Sequence, residues 1–518
     1  WNIALDRIPE SMQRYINAAL RRSSFNTSKN IKMNDEIRDL QPKALWNNFA
    51  DLNAVPRASK KEDRVIEFIK NFGENLGLDT QVDETGNVVI RKPATTGLEY
   101  RKTIVLQSHL DMVHQKNNDT KFDFDTQGIK MYVDGDWVKA EGTTLGADNG
   151  LGVATIMAIL QSDDIQHPAI EALFTIDEET GMTGAKGLSP ELLDGDILLN
   201  LDTEEDDEIG IGCAGGIDIT ALREYEEENI PDNSVGYKIV VKGLQGGHSG
   251  MDIIKGLANA NKLMARLLYT AYRDFGLRVS ELQGGGLRNA IPRESEAFVV
   301  VDKEDTNFFV QQMLMWIDEI KKEYASLEPN MDIGISEAEI NGKLMKVEDQ
   351  MEIIKAIASA HNGVYRMSPE IEGLVEASNN IANVVVANGK AKIKCLTRSS
   401  VESTKSDLAH SLQASFELAK FKVKQSGEYP GWAPNPASEI LKVLDEIYQK
   451  QHGEKAHIAA CHAGLECGII GNHYPDMDMI SFGPTIKGAH SPDERASISS
   501  TQKFWDFTLE ILKNIPKK

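Results

Sequence analysis

The sequence predicts an α/β protein: an α/β/α domain with a mainly parallel central sheet, plus an inserted α+β domain of two ferredoxin-like units. Strand-like and helix-like segments alternate in the first and last parts of the chain, which is typical of a parallel sheet covered by helices. After about residue 212 the order changes to β-α-β-β-α-β, the ferredoxin-like order. A chain of 518 residues is also too long for one compact core.

The flanking segments provide the parallel sheet and its helices. Ile37, Leu40 and Leu45 recur at helical spacing, so residues 36–75 are predicted to be helical. The next elements are predicted to be a strand at 103–109, a helix at 150–160, and strands at 171–177 and 196–202. Near the end of the chain we expect a helix at 437–452, an apolar segment at 464–470, a strand at 478–483 and a helix at 500–514.

The middle of the chain predicts two successive units of the ferredoxin-like type. The first has strands at 236–242, 277–285, 294–302 and 331–339, with helices at 252–270 and 305–324. The second continues from 331–339 through a helix at 347–361, strands near 371–376, 382–387 and 391–397, a helix at 404–418 and a strand at 420–426. Segments 33–212 and 428–518 are therefore expected to form one domain, with 213–427 inserted in it as an internal duplication.

The first 32 residues differ from the rest of the chain. They carry six basic and two acidic side chains, and they contain no apolar segment typical of a secretory signal. The composition changes at Met33, so residues 1–32 are interpreted as an N-terminal extension that is not native. An amphipathic targeting peptide is the alternative.

Charge and cysteine content exclude several classes of partner and compartment. The formal net charge is −23, which repels nucleic acid phosphates and anionic lipid. No apolar run is long enough to span a membrane, so neither nucleic acid nor a membrane is an expected partner. Four cysteines without a C-x-x-C pair fit a reducing cytosol, which predicts a cytoplasmic protein.

Side chains that bind metals occur where the predicted strands end or loops begin. They are His109, Asp111, Asp148, Glu178, Glu179, Asp202 and His490. The carboxyl ends of strands in an open α/β sheet gather at one edge, so residues far apart in sequence meet there. Imidazole and carboxylate are zinc ligands, and a two-metal site also needs a bridging carboxylate.

Each of these motifs alone has an ordinary structural explanation. A His-x-Asp is usually a surface or core pair, Glu-Glu pairs are usually solvated, and an Asp at a strand end is often a helix cap. Adjacent Glu178 and Glu179 cannot both point at one metal from a regular strand, so one is expected to bind metal and the other to shuttle a proton. Because all the candidates lie at the strand ends of one predicted sheet, the joint interpretation is a two-metal hydrolytic site.

Several stretches resemble the co-catalytic zinc aminopeptidase-like enzymes, a family that includes dipeptidases, carnosinases, aminoacylases and carboxypeptidases. They are SHLDMV, GTTLGADNGLG, FTIDEETGMTGA, LLNLDTE, GGHSG and GAHSPDE. The resemblance extends from residue 33 to 518. The versions HLDMVHQKN and GTTLGADNG, together with the doubled inserted domain, resemble the bacterial dipeptidase branch of the family.

The resemblance implies a role for each metal ligand. His109 and Asp202 would bind one metal ion. Glu179 and His490 would bind the other, and Asp148 would bridge both. Two zinc ions are the expected cofactors, although cobalt or manganese would suit the same ligands.

The resemblance also implies which residues act beside the metals. Asp111 would orient His109, as metal-bound histidines usually require. Glu178 would be the general base. In this family the peptide bond that follows the bridging aspartate is cis, so a cis bond between Asp148 and Asn149 is expected.

The inserted domain would correspond to the family's lid. His248 in GGHSG would stabilise the oxyanion, and Arg398 in CLTRSS would bind the substrate's free carboxylate. Asn289 is a second candidate for that carboxylate, and Glu466 is a candidate for the amino end. The ordinary alternatives are that His248 only caps a turn and that Arg398 forms a surface salt bridge.

The resulting prediction is metal-dependent hydrolysis of dipeptides, Xaa-His and broader, by an activated water with Glu178 as the base. An N-acyl amino acid deacylase or a tripeptidase with the same metal centre is an alternative, and so is an inactive homologue that binds peptides. The duplicated insert would supply internally a contact that simpler relatives make between subunits. That duplication permits a monomer, and a homodimer remains the alternative.

Overall fold

The computed structural model describes residues 34–518, so the predicted extension at 1–32 lies outside the described residues. Within that range the chain divides into two compact units. Unit 1 comprises residues 34–211, 435–459 and 470–518, and unit 2 comprises residues 212–434 and 460–469.

The secondary structure is mixed throughout the described residues. The strands are β1 (Asp79–Val82), β2 (Val88–Lys92), β3 (Ile104–His109), β4 (Met131–Asp134), β5 (Trp137–Ala140), β6 (Ile170–Thr175), β7 (Ile197–Asn200), β8 (Glu208–Cys213), β9 (Gly215–Glu224), β10 (Glu227–Glu228), β11 (Ser234–Lys242), β12 (Gly247–His248), β13 (Arg278–Gly285), β14 (Ala290–Ile291), β15 (Ser295–Asp302), β16 (Asp332–Glu337), β17 (Leu344–Met345), β18 (Gly363–Met367), β19 (Val375–Ala387), β20 (Lys390–Ser399), β21 (Lys422–Tyr429), β22 (His457–Cys461), β23 (Asp478–Ser481), β24 (Ile486–Lys487) and β25 (Arg495–Ser497). The helices are α1 (Asp35–Arg38), α2 (Lys43–Leu52), α3 (Asp63–Asn75), α4 (Ala147–Gln161), α5 (Thr183–Lys186), α6 (Ala260–Phe275), α7 (Thr306–Glu323), α8 (Val347–Ser359), α9 (Glu402–Leu418), α10 (Glu439–His452), α11 (Glu466–His473) and α12 (Ile498–Asn514).

The main sheet of unit 1 has the strand order β1-β2-β6-β3-β7-β23-β8-β22. Its centre is parallel, because β6, β3, β7 and β23 pair in parallel, while β1, β2 and β8 are antiparallel to their neighbours. The predicted α/β class with a mainly parallel central sheet is therefore confirmed. The carboxyl ends of the four parallel strands lie at one edge, which is where ligands gather in open α/β sheets.

Helix α4 shows why this sheet folds as a buried layer. Its residues from Leu151 to Leu160 are all buried, and the helix packs against β3 and against α2. A helix that is apolar all round belongs in the interior rather than at the surface. A small antiparallel sheet of order β24-β25-β5-β4 shares a second core with α1 and α2.

Unit 2 contains one continuous antiparallel sheet with the strand order β16-β11-β15-β13-β19-β20-β9-β21, and β18 pairs with β19. Four helices, α6, α7, α8 and α9, pack against one face of it through residues such as Leu263, Phe309, Ile353 and Leu408. The strands β11, β13, β15 and β16 with α6 and α7 form a ferredoxin-like unit. A second such unit joins it where β13 pairs with β19.

The composition of the second ferredoxin-like unit differs from our expectation. The sequence predicts that it begins at the strand 331–339, but that strand is β16, which is the edge strand of the first ferredoxin-like unit. The first strand of the second unit is β9, which pairs with β20 and β21. The whole first ferredoxin-like unit is thus inserted between β9 and α8. Local periodicity in the sequence does not reveal this nesting.

Two further boundaries in unit 2 were wrong. The helix predicted at 252–270 begins only at Ala260, because Asn259 caps it by accepting hydrogen bonds from the backbone N–H groups of Asn261 and Lys262. The strands predicted near 371–376 and 382–387 are mostly one long strand, β19.

Among residues 34–518, no helix combines the length and apolarity that crossing a membrane requires.

Candidate functional site

The predicted ligands of unit 1 lie at the carboxyl edge of the parallel strands. His109 is the last residue of β3, and Asp202 follows β7 by two residues. Glu178 and Glu179 follow β6 after Asp177, whose backbone has a left-handed φ of 56°. The neighbouring loops, at the start of α4 and after β24, add Asp148 and His490. The fold therefore brings these side chains to one place although they are far apart in sequence.

Asp148 lies between two histidines. Its Oδ1 atom is 3.1 Å from Nε2 of His109, and its Oδ2 atom is 3.3 Å from Nε2 of His490. On the first side, His109 Nε2 is also 3.4 Å from Oδ1 of Asp202. On the second side, His490 Nε2 is 2.9 Å from Oε2 of Glu179. The two oxygens of one carboxylate thus belong to two different groups of side chains.

The charges of this cluster shift the pKa values of its members. Burial would lower the pKa of His109, but the charge of Asp202 and hydrogen bonds with the neighbouring carboxylates raise that pKa well above its usual value. Hydrogen bonds with Asp148 and Glu179 raise the pKa of His490 to about 11. Burial raises the pKa values of Glu179 and Asp202, and the charge of Asp148 raises them further. The positive charge that two imidazoles can carry is therefore smaller than the negative charge of the three carboxylates beside them, and the cluster has an excess of negative charge.

The donor set fits two divalent cations. His109, Asp148 and Asp202 each offer a ligand atom within 4.8 Å of the others, and so do Asp148, Glu179 and His490. The Oε1 atom of Glu179 is buried and has no hydrogen-bond partner among the described residues. A buried carboxylate oxygen without a partner is costly, and a cation would satisfy it. The ligands are imidazole nitrogens and carboxylate oxygens, which suit zinc.

Asp111 and Glu178 lie beside this cluster. The Oδ1 atom of Asp111 is 3.4 Å from Nδ1 of His109, and its carboxylate accepts hydrogen bonds from the backbone N–H groups of Glu178 at 3.0 Å and Glu179 at 3.2 Å. Ser59 Oγ donates a further bond at 2.8 Å. Asp111 therefore links the orientation of His109 to that of the turn after β6. The carboxylate of Glu178 offers an oxygen within 4.8 Å of ligand atoms of His109 and Glu179.

The peptide bond between Asp148 and Asn149 is cis, as expected from the family resemblance. Asn149 donates a hydrogen bond from Nδ2 to Oδ1 of Asp202 and another to the carbonyl of Leu201 at 2.9 Å. Asn149 therefore connects the loop of Asp148 to the carboxylate of Asp202. The sequence analysis did not assign Asn149 any contact of its own.

Two buried charged residues that the sequence analysis missed support the loops of the site. Glu494 accepts hydrogen bonds from the backbone N–H groups of Leu145, Gly146 and Ala147 at 2.7–2.9 Å. Arg57 is fully buried and donates to the carbonyls of Leu110 and Asp111 at 3.0 Å and of Gly146 at 2.6 Å. Burial lowers the pKa of Arg57 to about 10, so the side chain stays charged at neutral pH.

Glycine is required where Arg57 passes the loop before Asp148. Gly146 has a φ of 71°, and a Cβ there would lie 2.5 Å from Nη2 of Arg57. Glu494 belongs to the motif GAHSPDE and was therefore detectable as a candidate. Arg57 stands in an ordinary-looking loop, and no sequence signal marks it.

Glu204 is a further acidic neighbour of the cluster. Burial raises its pKa to about 8, and the charges of Asp148 and Asp202 contribute to that rise. It lines a small cleft with these two aspartates and Pro484. Glu204 belongs to the motif LLNLDTE, but the sequence analysis gave it no role.

In unit 2, His248 is held as a hydrogen-bond donor. Its Nδ1 atom accepts hydrogen bonds from the backbone N–H groups of Met251 at 3.1 Å and Gly250 at 3.3 Å. Burial lowers the pKa of His248 to about 4, and the charge of Arg398 adds to that effect. The neutral ring therefore carries its proton on Nε2, which lies 3.5 Å from Nη2 of Arg398. Two donors that face each other, with no carboxylate paired to the arginine among residues 34–518, would suit an anionic group.

Arg398 is buried in β20 rather than exposed at the surface. It has no carboxylate within ion-pair distance among residues 34–518, and its Nε atom has no hydrogen-bond partner there. Asp218, which feels its charge, pairs instead with Arg288 at 3.0 Å. The alternative of a surface salt bridge is therefore wrong.

The two remaining candidates also lie in unit 2. Asn289 is exposed, and its carbonyl accepts a hydrogen bond from the N–H of Ser249 at 2.8 Å, next to His248. Glu466 is fully buried and begins α11. His462, which the sequence analysis did not single out, is buried nearby in sequence and hydrogen-bonds through Nε2 to Oγ of Ser378 at 2.8 Å.

Comparisons with known proteins agree with the resemblance seen in the motifs. The model of peptidase family M20/M25/M40 matches residues 105–514. The cytosol non-specific dipeptidase of Escherichia coli (strain K12) is 41% identical over 483 residues, which cover 93% of this chain and 100% of that protein. The crystal structure of aminoacylhistidine dipeptidase from Vibrio alginolyticus is 44% identical with a TM-score of 0.88, and the match covers 93% of this chain and 98% of that one. The aminopeptidase PepT from Bacillus cereus ATCC 10987 is similar in fold alone, with 16% identity and a TM-score of 0.54 over 92% and 99% of the two chains.

Proposed function

Because the chain belongs to peptidase family M20/M25/M40, we propose that it is a dipeptidase that hydrolyses Xaa-His and other dipeptides with two bound zinc ions. The observation that carries this proposal is the position of Asp148 between two groups of ligands. His109 and Asp202 would hold one ion, and Glu179 and His490 would hold the other. In this proposal unit 1 carries the hydrolytic centre and unit 2 recognises the substrate.

Two zinc ions at these ligands would polarise the scissile carbonyl and lower the pKa of the attacking water. Glu178 takes a proton from that water and then gives it to the leaving amine, as a general base and acid. Asp111 positions both His109 and Glu178. Its carboxylate contacts the ring of His109 and accepts a hydrogen bond from the backbone N–H of Glu178. The adjacent glutamates thereby have different tasks, with Glu179 as the ligand and Glu178 as the proton carrier.

His248 and Arg398 supply the hydrogen bonds to the substrate in this proposal. The Nε2–H of His248 stabilises the oxyanion, and loss of one such donor typically costs about 10²–10³ in rate. Arg398 binds the terminal carboxylate of the dipeptide through its planar guanidinium. Its burial, with no acidic partner among residues 34–518, supports this role. Asn289 is proposed for the same end of the substrate, and Glu466 for its amino end.

The experiment combines metal analysis with a substrate panel. We expect two zinc ions per purified chain and hydrolysis of Ala-X and X-His dipeptides, with slower hydrolysis of tripeptides and N-acetyl amino acids. Cobalt or manganese in place of zinc would change the cofactor but not the reaction. A preference for N-acetyl amino acids would contradict the dipeptidase assignment and favour a deacylase with the same metal centre, and a preference for tripeptides would favour a tripeptidase.

The variant Glu178→Ala separates catalysis from metal binding. We expect its turnover to fall by about 10²–10⁴, the usual contribution of a general base, while its metal content stays at the wild-type value. Hydrolysis at the wild-type rate would contradict the role of Glu178. If the protein were instead an inactive homologue that binds peptides, the wild type itself would show no turnover.

We also propose a cytoplasmic location. The cysteines at 213, 395, 461 and 467 form no disulfide among the described residues, which suits a reducing compartment. The similar protein from Escherichia coli is named as a cytosolic enzyme. For the oligomeric state, the doubled sheet of unit 2 permits a monomer, a homodimer is the alternative, and sedimentation of the purified chain distinguishes the two.

A further inference from the structure

A row of side chains crosses the sheet of unit 2 on the face opposite helices α6 to α9. Arg398 pairs with Ser378 on one neighbouring strand and with Gly216 on the other, and Gly216 pairs in turn with Tyr429. Directly paired residues in an antiparallel sheet point to the same face. Ile217 and Ile219 belong to the core beneath the helices, so Gly216 and its row lie on the opposite face.

Tyr429 reaches Arg398 because the residue between them is glycine. A Cβ at Gly216 would lie 2.6 Å from three atoms of the Tyr429 side chain, among them the hydroxyl oxygen. The ring therefore lies across Gly216, and its hydroxyl accepts a hydrogen bond from Nη1 of Arg398 at 2.8 Å. The buried Lys405 fixes the backbone of the tyrosine, since its Nζ donates to the carbonyl of Tyr429 at 2.9 Å.

This arrangement leaves the hydroxyl of Tyr429 with a proton to donate. A guanidinium only donates hydrogen bonds, so the tyrosine oxygen is the acceptor of the bond with Arg398. Among residues 34–518, the hydroxyl takes part in this bond as an acceptor and donates its own proton to no protein group. Burial raises the pKa of Tyr429, although the charge of Arg398 opposes the rise, so the hydroxyl stays protonated at neutral pH.

The guanidinium of Arg398 thus has two neighbours that each carry a proton to donate, the Nε2–H of His248 beside Nη2 and the hydroxyl of Tyr429 beside Nη1, and among residues 34–518 no carboxylate pairs with it. Hydrogen bonds between a charged group and a neutral donor are among the strong ones, and a carboxylate has four lone-pair positions to fill. Within residues 34–518 the buried Arg398 has no acidic partner and the Tyr429 hydroxyl has a proton to donate, so the two side chains suit one shared anionic ligand.

We propose that the hydroxyl of Tyr429 donates a hydrogen bond to the same carboxylate that Arg398 binds, and that the two side chains together select substrates with a free carboxyl terminus. This inference rests on the proposed dipeptidase function and adds a specificity-determining residue to it. A terminal amide offers one acceptor and carries no charge, so it would lose most of the interaction with both side chains.

The test measures binding of Ala-Ala and Ala-Ala amide by calorimetry. Both ligands are titrated into the metal-loaded Glu178→Gln variant, which prevents turnover, with and without the added change Tyr429→Phe. That change keeps the ring over Gly216 and removes only the hydroxyl. Tyr365→Phe is the matched control, because it removes a hydroxyl that bonds Asp407 at 3.2 Å elsewhere in unit 2.

We expect Tyr429→Phe to weaken binding of Ala-Ala by about tenfold or more, the usual effect of losing one hydrogen bond to a charged group. Binding of the amide should change by less than about twofold on the same reasoning. In steady-state kinetics with intact Glu178, the same variant should raise KM for Ala-Ala and leave kcat nearly unchanged. A purely structural role of Tyr429 would instead weaken both ligands equally.

The outcomes separate the inference from the proposed function. If the Tyr429→Phe variant distinguishes the two ligands as well as its parent does, the assignment of Tyr429 is overturned. If the parent itself binds both ligands equally, the carboxylate site is overturned together with Arg398. If the tenfold loss occurs but the wild type hydrolyses neither ligand, Tyr429 is supported while the dipeptidase function fails.

Discussion

The two units gather opposite charges at their candidate sites. In unit 1, three carboxylates share two imidazoles, and the pKa values of both histidines rise because their neighbours are acidic. In unit 2, an arginine is buried without an ion pair among the described residues, and the pKa of the nearby His248 falls. The pKa of a histidine is therefore raised at the site of unit 1 and lowered at the site of unit 2. The excess negative charge of the candidate site in unit 1 suits cations, and the unpaired positive charge of Arg398 in unit 2 suits an anion.

The largest effect expected from this comparison is the loss of the metal centre through Asp148→Asn. An amide at this position carries no charge and cannot offer an anionic oxygen to each side, so both ions should be lost. We expect the zinc content after dialysis to fall from two per chain towards zero and hydrolysis to fall to the background rate. Asp163→Asn, an exposed aspartate of unit 1, is the control. Two retained ions would contradict the role of Asp148 as the bridge.

A smaller effect is expected from Glu494→Gln, which changes no ligand. The carboxylate holds three backbone N–H groups before Asp148, and an amide would bring an N–H of its own against one of them. Supporting groups of this kind typically contribute 10–100-fold to metal affinity. Competition with a chelator measures the affinity, and Glu67→Gln is the exposed control in unit 1. An unchanged zinc affinity would mean that the loop before Asp148 does not depend on Glu494.

For unit 2, Arg398→Lys tests whether the shape of the cation matters as well as its charge. Lysine keeps the charge but loses the planar pair of donors. We expect KM for dipeptides to rise by about tenfold, because at least one hydrogen bond to the carboxylate is lost, while the zinc content stays unchanged. Arg266→Lys, at an exposed arginine of α6, serves as the control. A fall in zinc content would show that the two sites are not chemically separate.

The smallest effect concerns the stability of unit 2 at acid pH. Burial lowers the pKa of His462 to about 3, with further lowering by Arg398 and His248, whereas an unfolded histidine titrates near 6.5. The unfolded state therefore binds the proton first. The stabilising contribution is complete above pH 6.5 and is lost as pH falls from 6.5 towards 3, with a slope of at most about 1.4 kcal/mol per pH unit.

Urea unfolding at a series of pH values measures this contribution. The urea concentration at the unfolding midpoint of the wild type should decrease as the pH is lowered below 6.5. His462→Gln should show a smaller decrease, because no histidine titrates at that position. His410→Gln, in helix α9, is the control. Identical pH profiles for the wild type and His462→Gln would mean that His462 titrates equally in both states.

The sequence predicted the parts of the site that depend on local chemistry. Strand-end positions indicated His109, Glu178, Glu179 and Asp202, because the carboxyl ends of parallel strands meet at one edge of the sheet. The family motifs added the cis bond after Asp148, which is present. They also distinguished His248 and Arg398 from ordinary polar residues of a sheet.

What could not be predicted depends on pairing between distant segments. Arg57 contacts the loops of the site only because three separate backbone carbonyls converge on it. Tyr429 meets Arg398 because β9 lies between their strands, and the sequence analysis had placed β9 in no unit at all. No window of sequence contains such information, since a register between strands is a property of the completed sheet.

The nesting of unit 2 has a consequence for how the chain is made. The first ferredoxin-like unit, β11 to β16, is contiguous from 234 to 337 and can assemble as soon as it leaves the ribosome. Strand β9 emerges before it, but its partners β20 and β21 emerge after residue 390. During that interval β9 lacks its strand partners and its alternate residues Ile217, Ile219 and Ala221 lack their core, and unpaired strands of this kind are where nascent chains associate wrongly. The strand that separates Arg398 from Tyr429 is therefore also where we expect a chaperone to be needed most.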